Sequence, residues 1–96
     1  MDTFTSKIGT SRQIPASRVW IEGARLVRAG FIVAARYALV EVDGTLVLTL
    51  SDTGARKVSG KGAKPIIDIT GDLIRRVFAG RDRVAVDYTN GKIVIR

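Results

Sequence analysis

Two residue types that carry much of protein chemistry are missing from this chain: it has no cysteine and no histidine. Without cysteine there is neither a disulfide nor a thiolate metal site. Without histidine there is no imidazole to serve as base, as nucleophile's partner or as ligand, which removes ordinary zinc chemistry and every His-dependent triad. Aromatics are scarce, at 6% of residues; the most prominent, Trp20 and Tyr37, are assigned to core or interface packing ahead of base stacking. A long hydrophobic run is lacking too. The longest, Phe31 to Val42, is interrupted by Arg36 and Glu41 and is too short for a bilayer. The N-terminal stretch MDTFTSKIGTSRQ has no apolar segment of the signal-peptide kind, so no membrane association and a cytoplasmic location are expected.

What is present is a globular composition in 96 residues, 46% hydrophobic and 26% charged. That length suggests one domain with a modest core, burying roughly 60–65% of the unfolded surface, which a homodimer would supplement. Sixteen Lys and Arg oppose nine Asp and Glu, a net charge of +7. Such a balance points to a polyanionic partner, DNA or RNA, or to an acidic protein surface.

The segment from Arg18 to Leu50 recurs as Pro65 to Arg96. With the turn glycines Gly44 and Gly91 aligned, 47 residues apart, Val19 meets Ile66, Leu26 meets Leu73, Val27 meets Ile74 and Phe31 meets Phe78 without a gap. Arg28 meets Arg75, Arg36 meets Arg83, Leu46 meets Ile93 and Leu48 meets Ile95. A repeat of this period makes each copy one supersecondary unit.

Each copy reads as strand, short helix and hairpin. Arg18 to Ile21 and Pro65 to Ile69 are the first strands. The helices start near Gly23 and at Thr70, the latter as an N-cap, and stop at Gly30 and Gly80. In the second helix Leu73, Ile74, Val77 and Phe78 form an inward stripe. Asp43-Gly44 and Asn90-Gly91 sit between apolar runs and predict tight hairpins. The expected core is Leu26, Phe31, Leu46, Leu48, Leu73, Phe78, Val86, Ile93 and Ile95. Residues 1–17 read as a flexible arm. Residues 51–64, SDTGARKVSGKGAK, read as a basic Gly/Ser loop joining the two copies within a single domain, 18–96.

This order, with Asp-Gly or Asn-Gly at the turn, resembles the AbrB/SpoVT swapped-hairpin unit. There, two βαββ units interleave into a small barrel, here both from one chain as in the MraZ-like arrangement. Through Ile14-Pro15-Ala16, Gly23, Leu26, Ala29-Gly30-Phe31, Val42, Gly44 and Val47-Leu48-Thr49, about a third of the chain, the first copy is similar to the SymE-type toxins of toxin–antitoxin systems. It departs in having Ala34-Ala35 where that family has a glycine. The resemblance implies a mainly β, α+β fold forming a swapped-hairpin barrel, with nucleic-acid binding and, more remotely, RNA cleavage.

Catalytic constellations are thin. Asp68 and Asp72 suit turn and helix-start roles, and Asp82 and Asp87 suit ion pairs. Gly60-Lys61-Gly62 lacks Walker spacing. No cofactor or metal is expected. The candidate binding residues are therefore cations: Arg25, Arg28, Arg75 and Arg76 on the helices, Arg36, Arg81 and Arg83 near the hairpins, and Arg56, Lys57, Lys61 and Lys64 in the loop. They suit phosphate contacts disposed about a pseudo-twofold axis. The leading expectation is a non-enzymatic DNA-binding module of AbrB/SymE-like type, a transcription regulator or toxin–antitoxin component. Second is a small phage-type inhibitor, anti-CRISPR-like, or an adaptor of a nucleic-acid enzyme; third, a ribonuclease toxin.

Overall fold

The computed structural model describes residues 2–96; Met1 lies outside them. In chain order the elements are β1 (Asp2–Lys7), β2 (Gly9–Ser11), β3 (Ile14–Glu22), α1 (Ala24–Arg28), β4 (Arg36–Val42), β5 (Thr45–Leu50), β6 (Arg56–Lys57), β7 (Ser59–Lys61), β8 (Lys64–Thr70), α2 (Asp72–Val77), β9 (Arg83–Thr89) and β10 (Lys92–Ile95). They form two antiparallel sheets. One has the order β1-β9-β10-β5-β4-β6, the other β2-β3-β8-β7. The sheets remain separate, and no closed barrel forms among the described residues. None of these helices is long and apolar enough to cross a membrane.

Strand alternation builds the core. Leu46, Leu48, Val84, Val86, Ile93 and Ile95 point from the larger sheet, and Val19, Ile21, Ile67 and Ile69 point back from the smaller one. Leu26 and Ile74 of the helices, with Phe31 and Phe78 just beyond them, are buried in the same cluster. Of the expected core, only Leu73 is no more than partly buried.

The order strand, helix, hairpin occurs twice, as expected, and equivalent strands pair with each other. β3 lies antiparallel to β8, and β5 antiparallel to β10. The Gly23 N–H donates to the Pro65 carbonyl (3.1 Å), and the Gly71 N–H to the Ser17 carbonyl (2.9 Å). That reciprocity is the mark of a pseudo-twofold axis. α1 packs on β8 as well as β3, and α2 mainly on β3 of the other copy.

The gapless register needs correction. Buried Val19 and Ile21 correspond to buried Ile67 and Ile69, and buried Leu26 to Ile74, all 48 apart. From Phe31 and Phe78 onward the spacing returns to 47. Val27, aligned above with Ile74, is 46% exposed. A one-residue slip along a strand exchanges its faces. The runs Ile66-Ile67 and Leu73-Ile74 each offer an apolar residue in either register.

Two further expectations change. The arm of residues 1–17 and the loop of residues 51–64 both supply edge strands: β1 and β2 in the first, β6 and β7 in the second. Their polar side chains bury little, yet their backbones gain partners on β9, β3, β4 and β8. The repeat thus extends upstream of the βαββ unit. It is marked by matched bonds from the Ile8 N–H to the Asp82 carbonyl and from the Val58 N–H to the Ala35 carbonyl, both 2.8 Å. Finally, Thr70 is the end of β8, and Gly71 (φ 103) precedes α2 with no side-chain cap. The extended, positive-φ residue at that junction, like Gly23 (φ 93) before α1, suits glycine alone. Ala34, standing where the resembled family has glycine, takes φ 74.

Candidate nucleic-acid interface

The helix arginines are largely engaged. Arg75 Nη1 lies 3.3 Å from Asp72 Oδ1, and Arg76 Nη1 donates to Glu41 Oε1 at 2.7 Å, tying α2 to β4 of the first copy. The Arg25 guanidinium sits 3.4 Å from the centre of the Phe4 ring, tying α1 to β1. Arg28 is exposed at the end of α1. Lys64 is 3.3 Å from Glu22, and Lys61 stands opposite Lys64 across the two-residue turn of β7 and β8. Arg81 is structural: its Nη2 donates to the carbonyls of Arg83 and Arg96, each at 3.0 Å. Arg56 is half-buried opposite Tyr37. Burial pushes the Tyr37 phenol up, partly offset by the nearby Arg56 charge.

The cations that the fold brings together lie at strand ends. Arg36 on β4 is directly opposite Lys57 on β6, and Arg83 on β9 is directly opposite Lys7 on β1. These two pairs are equivalent by the pseudo-dyad. Arg36 Nη1 donates to the Gly54 carbonyl (3.2 Å), but no carboxylate pairs with any of the four among the described residues. Lys7 was not among the cations singled out as candidates, because the pairing that gives it meaning is invisible in a segment that reads as an arm.

Several carboxylates are neutralised locally, although Asp82, expected as an ion-pair partner, has none among the described residues. Arg18 grips Asp68 with two bonds of 3.0 Å, so Asp68 is an ion-pair partner across β3 and β8 and takes no part in turn chemistry. Asp87, 7% exposed, accepts from Arg96 Nε (2.6 Å) and the Thr3 hydroxyl (2.7 Å). Arg96 first and Thr3 second hold its carboxyl below the usual range, and Asp87 in turn raises the Arg96 pKa. No group of three or more His, Cys, Asp or Glu residues placed to hold a metal occurs among the described residues.

The site therefore offers paired, solvent-facing cations in two symmetric places on a two-sheet antiparallel scaffold. No family model matches the chain, and no curated protein or solved structure does either.

Proposed function

We propose that this chain is a non-enzymatic nucleic-acid-binding module that grips duplex DNA, as a transcription regulator or toxin–antitoxin component of the AbrB/SymE-like type. In this reading its interleaved copies are a swapped-hairpin unit drawn from one polypeptide. The observation that carries the reading is that equivalent cations recur about a pseudo-dyad on a protein of charge +7. A duplex presents phosphates symmetrically about local dyads, so one arrangement of cations used twice meets both strands. The helix packing supports the swapped relation, since each helix lies against the first strand of the other copy.

The test is fluorescence anisotropy with a labelled random-sequence duplex across about 50–200 mM salt. Affinity falling steeply with salt is expected. Absence of binding at the low end, or binding indifferent to salt, overturns the reading.

A second reading has its own support. Trp20, 41% exposed, lies on the outer face of the smaller sheet where the pseudo-dyad crosses it, paired with Asp68 and with Arg18 stacked 5.4 Å from its ring. Exposed Trp with Arg is the composition of a protein-binding hot spot, as an inhibitor of a nucleic-acid enzyme would need. Under that reading Trp20→Ala destroys activity while leaving duplex binding untouched.

A further inference from the structure

The larger sheet has one face on the core and one face open. On the open face Val40 pairs with Val47, and Val47 with Val94. Val47 and Val94 are equivalent residues 47 apart, so the pseudo-dyad passes between them. Around this centre the strand register places six cations, Lys7, Arg36, Lys57, Arg83, Lys92 and Arg96, against one carboxylate, Asp87, which Arg96 and Thr3 occupy. Asp82 precedes Arg83, and Asp52 shares a surface pocket with Arg36, but neither forms an ion pair among the described residues.

Four of these cations form the two like-charged pairs. Like charges directly opposite in a sheet repel and cost stability, and here the same cost is incurred twice at diagonal corners of one face. Lys61 and Lys64 also face each other, but there Glu22 pairs with Lys64. Here no carboxylate pairs with any of the four among the described residues, and two cations a strand spacing apart can each meet a phosphate. Ordinary strand spacing and rise put the corners roughly 30 Å apart. One turn of duplex, about 34 Å, brings the backbone back to the same side.

We infer that the open face of the six-stranded sheet is the duplex-binding surface, with Lys7/Arg83 and Arg36/Lys57 as twin phosphate clamps and the Val40–Val47–Val94 row lying over the groove between them. This rests on the nucleic-acid reading and assigns it a surface and an occupant: double-stranded DNA. Of the helix arginines, Arg75, Arg76 and Arg25 are held by Asp72, Glu41 and Phe4, away from this face.

The experiment compares the wild-type chain with a fourfold variant, Lys7→Ala, Arg36→Ala, Lys57→Ala and Arg83→Ala, on random-sequence DNA and RNA duplexes. The expected result is a salt slope smaller by about 3.6, near 0.9 for each of four phosphates, with a Tm near wild type, because relief of the repulsions is set against loss of the Arg36–Gly54 bond. A companion variant, Lys7→Glu with Lys57→Glu, converts each repulsion into a cross-strand ion pair. It should raise the Tm and lose duplex binding, which separates lost contact from lost fold. Wild-type binding with an unchanged slope in either variant overturns the surface assignment and leaves the nucleic-acid reading standing. A wild-type chain that binds no duplex overturns both. Preference for the RNA duplex, lost in the variants, overturns the assignment to DNA.

Discussion

In the first copy the edge strand β1 pairs with six of the seven residues of β9, whereas its counterpart β6 has two and covers only the start of β4. The hairpins beside them differ as well. β2 and β3 turn through Arg12-Gln13, both at positive φ, and bulge at Ala16 (φ 56). Buried Ser17 braces that bulge, its hydroxyl donating to the Ile14 carbonyl at 2.7 Å while the Ser11 N–H donates to its oxygen. β7 and β8 turn through Gly62-Ala63 with no bulge. By contrast, Phe31 and Phe78, Leu26 and Ile74, and Leu46 and Ile93 are each buried to within 1% of full enclosure. The copies agree where side chains must fill a shared core and diverge where only backbone hydrogen bonds are needed. Packing specifies volume and direction; an edge strand needs any chain that can lie extended.

The sharpest way to break this comparison is to truncate both phenylalanines separately. Phe31→Ala and Phe78→Ala should each cost about 3–5 kcal/mol, a large share of what so small a domain has. Equal shifts in the urea midpoint are expected. A midpoint unmoved by one of them would mean that the halves do not share one core.

A smaller effect probes the asymmetric edge. A Cβ on Gly54 would lie 2.4 Å from the backbone carbonyl of Tyr37, and backbone cannot turn aside as a side chain can. Gly54→Ala should cost about 1–3 kcal/mol by overpacking, whereas Gly62→Ala meets nothing within 4 Å and bears only the strain of its positive φ (64°). Finding the second variant the less stable of the two would refute the path drawn for residues 51–57.

Smaller still is the acid response of Asp87, which has no counterpart ion pair in the first copy, where Val40 stands at the equivalent place. Its folded pKa is lowered, so its contribution is present above the unfolded value of about 3.9 and is lost as pH falls through the lower, folded value. Asp87→Asn should therefore lose stability at neutral pH and flatten the acid limb of the stability curve. An acid limb identical to wild type would show that Arg96 and Thr3 do not hold the carboxylate.

Much of the plan was legible in the residues. Asp43-Gly44 and Asn90-Gly91 placed both hairpins, because tight turns need positive φ, which Asp43, Gly44 and Gly91 adopt. The alternation of Val84, Val86 and Tyr88, and of Ile93 and Ile95, placed the core face. The register of β8 was not legible, since Ile66 and Ile67 satisfy either parity and only pairing with Val19 and Ile21 decides between them. Strands β1, β2, β6 and β7 were illegible for a related reason. Stretches such as Ser59-Gly60-Lys61 carry no apolar period, and they become strands because β8 and its neighbours have unpaired edges to fill. The clamps followed the same rule: the arginines of the hairpins stood out, while Lys7 became one only through β1.

The central claim is that one arrangement of cations acts twice about the pseudo-dyad, and it is tested most directly by halving it. Lys7→Ala with Arg83→Ala, and separately Arg36→Ala with Lys57→Ala, are titrated with salt on the same duplex. The account predicts that each half-variant loses about 1.8 from the salt slope, near 0.9 per phosphate, and that the two losses match. A slope that falls wholly in one half-variant, with the other binding as wild type does, would contradict it.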